Sequence, residues 1–392
     1  MKIAISGAGV AGPSLAYWLH RTGHEPTLIE QAPQLRTGGY VIDFWGVGYR
    51  VAQLMGIEET VRDAGYQVNT LRSVRSDGGV RASLGVDAFR RAAGEKFTSL
   101  PRGDLAAAIY ATIADDVETI FGDSITAIDE QPDRVSVSFS HAPPRDFDLV
   151  VGADGLHSNV RQLAFRAGSD VEHFLGCRVA ACVVEGYRPC DELVYVTHSE
   201  PGRSVARFCL RGDRTMFLFV FRSADAEDPG DLTARKALLR REYGGTGWEC
   251  PQILSALDQV DDLYFDVVSQ IRLPSWSQGR TALVGDAAAC ASLLAGEGTG
   301  LAMTEAYVLA GELSRAQGDY RRAFDAYEER LRDFISGKQT AAQKLIPVFA
   351  TRTRQGIWFR DLVMRTMNFR PLANLLLARG VRDDFELPDY RM

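Results

Sequence analysis

The sequence lacks the spacings from which metal sites and hydrolytic centres are usually built. Its six cysteines, Cys177, Cys182, Cys190, Cys209, Cys250 and Cys290, contain no CxxC pair, which argues against zinc binding and thioredoxin-type chemistry. Its six histidines, His20, His24, His141, His157, His173 and His198, fall in no HExxH-like spacing, so no metal site is predicted. No GxSxG stretch is present, which removes the nucleophile elbow of the hydrolases. Basic residues are the minority: 44 Lys and Arg against 51 Asp and Glu leave a formal net charge of −7. A general nucleic-acid-binding surface needs the opposite balance. No apolar run approaches the roughly 18 residues of a membrane-crossing helix. Lys2 and the apolar residues up to Leu19 superficially resemble a secretion signal. Gly7, Gly9, Gly12 and Pro13 interrupt them and suit a strand and turn better. Without such a signal, the cysteines are expected to be reduced thiols and the chain cytoplasmic. Internal repeats, low-complexity tracts and long linkers are missing as well.

What is present is ordinary globular composition. Of 392 residues, 46% are hydrophobic and 24% charged, enough for two or three domains with a core that needs no disulfides. Residues 2–6 read as a strand, 7–12 as a turn, 14–21 as a helix and 26–30 as a second strand, with Gly23 where a helix C-cap is expected. Residues 104–114 read as an Ala-rich helix, and 133–140 and 146–151 as strands. From 174 to 273 the character changes to short β-rich runs, at 193–197, 205–210 and 215–221, with turns at Pro201-Gly202 and Gly212-Asp213. The tail returns to helix at 302–313, about 320–345, and a shorter region to Arg379. Its 320–345 stretch sets Phe324, Tyr327, Leu331 and Phe334 on one apolar stripe. The predicted class is α/β, a Rossmann-type domain with an inserted mixed β-sheet and a helical C-terminal region.

Gly7, Gly9 and Gly12 form GxGxxG directly after the first strand, with Ala11 inside the motif. Its glycines serve a tight turn, close approach of backbone to a pyrophosphate, and helix–strand packing. The following helix offers unpaired N–H groups and a positive dipole end to phosphate. Pro13 costs little in a first helical turn. Glu30 ends the second strand, 18 residues after Gly12. A carboxylate there can accept from both ribose hydroxyls and would repel a 2′-phosphate. The pattern is compatible with NAD or FAD, and a glycine-rich surface turn is the bland alternative.

Two further segments bear on that choice. One is Asp148-Leu149-Val150-Val151-Gly152-Ala153-Asp154-Gly155-Leu156-His157-Ser158-Asn159-Val160-Arg161. The other runs from Gly279 through Gly285-Asp286-Ala287-Ala288 to Gly296-Glu297-Gly298-Thr299-Gly300. With the fingerprint, they resemble the DG and GD motifs of the flavoprotein aromatic hydroxylases, in that family's order and approximate spacing over roughly residues 1–340. This group contains para-hydroxybenzoate hydroxylase and the tetracycline-inactivating monooxygenases. The resemblance implies FAD as cofactor and NAD(P)H as a transient co-substrate, since no second GxGxxG unit is apparent. It implies O2 activation through a flavin C4a-hydroperoxide and hydroxylation or epoxidation of an aromatic, polyketide-like or quinol small molecule. No side chain then has to act as a nucleophile.

The same resemblance assigns residues. Asp286 would bond the FAD ribityl chain, though any aspartate there could be a helix N-cap. Gly296 and Gly298 would line the isoalloxazine ring. Arg102 and Arg36 match cofactor-side arginines, with surface positions as the alternative. Asp154 would serve FAD and NAD(P)H together, or organise its own loop with Arg161. Asp43 would line the ring edge or bond a loop. Tyr195 and Arg207 are candidates for polar contact with a phenol or enol. Phe219 is a further substrate candidate on a strand whose Phe217, Phe219 and Phe221 share one face; ordinary core is the competing role. Residues 1–173 with 274–319 would form the FAD-binding domain, 174–273 the substrate domain, and 320–392 a bridging helix and helical tail. Ala289, Leu293 and Gly300 depart from the family's usual His, Pro and Asn, which puts the pocket beside the flavin in question. No WxWxIP stretch occurs, which weighs against the related flavin halogenases. A non-hydroxylating flavin oxidoreductase, a flavin-binding protein without turnover, and an NAD-dependent dehydrogenase remain alternatives at this point. The sequence does not specify an oligomeric state.

Overall fold

Lys2–Ser6, Glu25–Glu30 and Leu149–Gly152 are short and almost continuously buried, the mark of strands covered on both faces. A computed structural model describes residues 1–36, 40–87, 90, 96–165, 171–368 and 385–392. Among these, six strands form one sheet in the order Ser277–Gln278, Thr281–Leu283, Leu149–Gly152, Lys2–Ser6, Glu25–Glu30, Glu118–Phe121. All neighbours are parallel except the first pair. Ser6 is in register with Gly152, and Gly152 with Leu283. The fingerprint, the DG loop and the GD turn therefore leave the sheet side by side at the carboxyl ends of its strands, where open α/β sheets bind ligands.

The helix Ala11–Arg21 follows the fingerprint. The helix Gly298–Arg315 is buried along almost its whole length from Thr299 to Leu313. It begins four residues before the predicted start at 302, because glycines carry no helical signal of their own.

A second sheet of seven strands runs Tyr264–Ile271, Glu172–Glu185, Arg214–Arg222, Arg203–Leu210, Val194–Glu200, Thr70–Val74, Val80–Gly85. It is mixed, since Val194–Glu200 pairs parallel with Thr70–Val74 and the other neighbours are antiparallel. Its last two strands come from well before residue 174. Arginine and serine interrupt both of them, so they carry little apolar pattern. Strand alternation divides this sheet into two faces. Tyr195, Phe208, Met216 and Leu218 face inward against Tyr40, Val41, Trp45, Tyr66 and Phe97. Val205, Phe217, Phe219 and Phe221 face outward, against the helices Leu232–Tyr243 and Cys250–Ala256. A two-stranded sheet, Val41–Trp45 with Phe97–Pro101, lies between the large sheets, and its Val41 N–H donates to Met216 Sδ at 3.1 Å.

The long helix Tyr320–Phe349 connects the layers. Phe324, Tyr327 and Leu331 sit in the core of the parallel sheet, while Ile346 packs on Val179, Val220 and Val268 of the second. It passes the expected end at 345 and carries Pro347 in its last turn. The helix Arg354–Thr366 follows; the predicted helical region to Arg379 lies outside the described residues from 369 on. Residues 385–392 return to the helix Gly298–Arg315, where Tyr390 fills the space a Cβ on Gly311 would need.

One expectation is corrected. Cys190 and Cys209 form a disulfide, with Cα atoms 5.6 Å apart and a sequence separation of 19. The antiparallel pairing of Val194–Glu200 with Arg203–Leu210 brings them together, which motif spacing does not register. Cys177, Cys182, Cys250 and Cys290 are free and buried. Among the described residues, no helix is long and apolar enough to cross a membrane.

Candidate functional site

Gly7 has φ +103°, and a Cβ there would lie 2.6 Å from the Ala153 carbonyl oxygen. A Cβ on Gly12 would lie 1.9 Å from the Gly7 carbonyl oxygen. Both positions therefore require glycine. Gly9 differs, since a Cβ there would meet only the Arg102 guanidinium, at 3.5 Å. The helix Ala11–Arg21 has no side-chain cap, so its first N–H groups face the turn without a side-chain acceptor. A cation and a helix N-terminus thus flank Gly9, a fitting environment for a pyrophosphate. The Glu30 carboxylate accepts from Ala8 N at 2.8 Å and from Ala32 N at 2.9 Å. These bonds fix its position and leave acceptor capacity for hydroxyls. Arg36 is exposed beyond the same strand.

Asp154 is tied into its own loop. Ser158 Oγ donates to it at 2.5 Å and Val160 N at 3.0 Å, and Ser6 Oγ lies 3.4 Å away. It thereby joins the end of the first strand to the helix Asn159–Phe165. Arg161 is buried and donates to Leu156 O at 2.6 Å and Ala287 O at 3.0 Å. That guanidinium fastens the DG loop to the GD turn.

Gly285 has φ +65°, and a Cβ there would press on the methyls of Ala11 and Ala302 at 3.3 Å. Asp286 follows, half-buried, and its Oδ1 lies 3.7 Å from where a Gly298 Cβ would be. Burial pushes its carboxyl up, against the Arg102 charge and a bond to the Cys290 thiol. Gly296 has φ +71° and faces the Trp45 ring. The helix Gly298–Arg315 likewise has no side-chain cap, so a second helix N-terminus points to the same place. Among the departures from the family pattern, Gly300 receives the helix Gly46–Leu54 at backbone contact, since a Cβ on Gly48 would lie 2.2 Å from Gly300 Cα. Ala289 is buried, and Leu293 packs toward Ile346 and Ala350.

Asp43 accepts from its cross-strand partner Ser99 at 2.5 Å. Burial pushes its carboxyl up and the serine bond opposes this. Burial, with the Asp43 charge, pushes the nearby Tyr195 phenol well above its ordinary range, and Ser99 opposes this. Tyr195 stacks on Phe208 at 4.3 Å. Asp43, Gly48, Glu297, Gly300 and Lys338 line one small recess, closed by the Lys338–Glu297 ion pair at 2.8 Å.

Arg207 and Phe219 lie elsewhere. Phe219 is buried in the outer core, 5.2 Å from the Tyr243 ring. Arg207 is buried on the same outer side, bonded to Asp191 at 2.7 Å and Glu249 at 2.8 Å.

Several residues beside the site carry no sequence signal. The Tyr40 and Tyr264 rings meet at 5.0 Å. Burial raises both phenols, Tyr40 to about 12, against the Arg102 charge. Asp266 bonds His157 Nε2 at 3.0 Å and accepts from Tyr264 at 3.3 Å. Tyr264 meets Tyr40 from across more than 200 residues, and Asp266 meets His157 of the DG segment from 109 residues away, which no local motif records.

These features fit FAD: two uncapped helix N-termini, glycines at points of close approach, a fixed carboxylate at the second strand's end and a cation beside Gly9. The family described as FAD binding domain matches residues 1–339. A flavin-dependent monooxygenase from an unknown prokaryotic organism is 36% identical over 393 residues, covering 100% of this chain and 99% of its own. Another, from Legionella longbeachae serogroup 1 (strain NSW150), is 35% identical and covers 100% and 98%. The crystal structure of tetracycline destructase Tet(51) matches with a TM-score of 0.85 at 29% identity, covering 99% of both chains. The convergence of three turns on one cofactor site and these likenesses agree: the chain belongs to the FAD-binding-domain family and is an FAD-dependent monooxygenase.

Proposed function

We propose that the enzyme uses NAD(P)H and O2 to hydroxylate or epoxidise an aromatic, polyketide-like or quinol small molecule between the flavin site and the inner face of the second sheet. The observation that carries this reading is the Ser99–Asp43 hydrogen bond, which lies near the Tyr195 phenol of that face and at the recess beside the glycine loop. Bound FAD would supply the redox chemistry, taking a hydride from NAD(P)H and passing one oxygen atom of O2 to the substrate.

The protein's part is placement and proton control. Glu30 would take the ribose hydroxyls. Gly7, Gly9 and Gly12 with Arg102 would hold the pyrophosphate, and Arg36 would approach from the exposed side. Asp286 would bond the ribityl chain, with Gly296 and Gly298 offering backbone to the ring. Asp154 would shape the loop that NAD(P)H visits. Tyr195, as a neutral phenol, would bond a substrate oxygen and hand its proton toward Ser99 and Asp43. The tyrosines Tyr40 and Tyr264 and the inner aromatic face would keep water out. Residues 1–173 with 274–319 would act as the cofactor domain and 174–273 as the main part of the substrate domain, with Thr70–Val74 and Val80–Gly85 completing its sheet. Residues 320–392 would bridge the two. A cytoplasmic location suits the supply of NAD(P)H.

The destructase likeness makes a tetracycline the first substrate to try. The test is the flavin absorbance during anaerobic NADPH or NADH addition, followed by turnover under 18O-labelled O2. The expected result is a bleached flavin band and one labelled oxygen in the product. Bleaching with unlabelled product would support a non-hydroxylating oxidoreductase instead.

A further inference from the structure

Glu305 lies in the helix Gly298–Arg315, 1% exposed, directly beneath the turn that carries Asp286. Its Oε2 accepts from Gly285 N at 2.6 Å and lies 3.1 Å from Tyr327 Oη. Tyr327 Oη is also 3.1 Å from the Leu283 carbonyl oxygen. A tyrosine has one hydroxyl proton, and here two oxygens are within its reach. If that proton goes to Leu283, whose carbonyl can only accept, the Tyr327–Glu305 contact needs a proton from Glu305. A protonated carboxyl supplies it, because a hydroxyl oxygen can donate to Tyr327 while accepting from Gly285 N–H.

The surroundings agree. Among the described residues, no cation is among the groups acting on Glu305; the charged one is Asp286, of like sign. Tyr327, on the helix packed opposite, is itself faced by Glu328 and Arg332. Asp286 is faced by Arg102, Cys290 and Asp266. Burial pushes the Glu305 carboxyl up to about 8.

We propose that Glu305 is a neutral carboxylic acid at neutral pH and positions the Gly285–Asp286 turn for the cofactor, closing a one-way hydrogen-bond chain through Tyr327 to Leu283. The positioning role rests on the flavin reading of Asp286; the protonation state does not. Loss of the proton would leave two acceptors facing each other, and a buried carboxylate beside Asp286.

Infrared difference spectroscopy on the flavin-free protein tests the proton directly. A protonated-carboxyl band is expected at neutral pH, lost in Glu305→Gln and titrating near pH 8. Its absence overturns the proposal. FAD dissociation constants from acid to alkaline pH test the positioning. If only the protonated form binds well, native affinity falls about tenfold by roughly pH 9. Glu305→Gln, whose amide oxygen can accept from Gly285 N–H and which has no proton to lose, should bind FAD with an affinity that stays flat from acid to alkaline pH. A native protein whose FAD affinity is as flat with pH as that of the Gln variant overturns the positioning role. Tyr327→Phe gives an independent sign. Removing an acceptor of the Glu305 proton moves the alkaline transition to lower pH, whereas removing a donor to a carboxylate moves it up, which overturns the proposal. Failure of FAD to bind the native protein at any pH would remove the positioning role, while the infrared band still decides the proton.

Discussion

The two faces of the seven-stranded sheet share their strands and differ by one residue in register. Val196 pairs with Arg207, so Tyr195 meets Phe208 on the inner side. On the inner side, Ser99 donates to the half-buried Asp43 carboxyl near the Tyr195 phenol, and among the described residues no cation is bonded to it. The outer side closes its polar groups on themselves. Arg207 holds Asp191 and Glu249, and Glu249 also accepts from Tyr187 at 3.0 Å. The Arg207 guanidinium lies 5.8 Å from the Trp248 ring centre. A network of paired charges suits a structural face, and a hydroxyl bonded to a carboxyl without a paired cation suits one that exchanges protons with a ligand.

The largest effects are expected where the outer face is broken. Phe219→Ala removes a fully buried ring and should cost roughly 3–5 kcal/mol of stability. Arg207→Met leaves the partly buried Glu249 without its cation and Asp191 with Arg72 alone, and should cost roughly 3 kcal/mol. Chemical denaturation measures both. FAD affinity and turnover of the folded fraction should stay within about twofold of native, since neither side chain reaches the inner side. A variant of Phe219 that keeps its stability but raises KM for a substrate would move that residue to the other face.

Inner-face substitutions invert the pattern. Tyr195→Phe deletes one hydroxyl and should cost only about 1 kcal/mol of stability. Turnover should fall by roughly tenfold or more, because a proton path is cut. Asp43→Asn keeps the Ser99 bond and removes the terminal acceptor, so it should lower kcat more than it raises KM and flatten the pH–rate profile. Equal losses of stability in Tyr195→Phe and Phe219→Ala, with unchanged turnover in both, would erase the distinction between the faces.

The sequence disclosed the cofactor side far better than the substrate side, for a physical reason. GxGxxG, Glu30, the DG loop and the GD turn are contiguous motifs on parallel strands, and the register of Ser6, Gly152 and Leu283 brings them together without further information. The second sheet has no such shorthand. Alternation placed Phe217, Phe219 and Phe221 on one face but could not say which face looks toward the flavin site. That depends on the helices Leu232–Tyr243 and Cys250–Ala256 covering the other side. Thr70–Val74 and Val80–Gly85 join the sheet from across more than 100 residues. Ser99 and Glu305 escaped notice because a lone serine in a strand and a lone glutamate in a helix are unremarkable until their partners are known.

The smallest effect is expected at the edge strand Tyr264–Ile271, which sends Phe265 to the outer core and Tyr264 toward Tyr40. Here the DG loop reaches the second sheet through His157 and Asp266. The Asp266 hydrogen bond raises the imidazole above its ordinary 6.5, against partial burial. A raised histidine contributes its stability fully below that ordinary value and loses it as pH rises through the folded value. His157 is 62% exposed, so solvent screens the pair and the contribution is about 0.5 kcal/mol or less. His157→Gln should therefore abolish a shallow stability increase on acidification through neutral pH, and added salt should mimic it. Asp266 also acts on Tyr40, Tyr264 and Asp286. Freed of its imidazole partner, it would present more negative charge to the flavin side. A change in FAD affinity larger than the change in stability would then make this edge a third functional surface of the sheet, whereas equal small changes leave it a tether between the sheets.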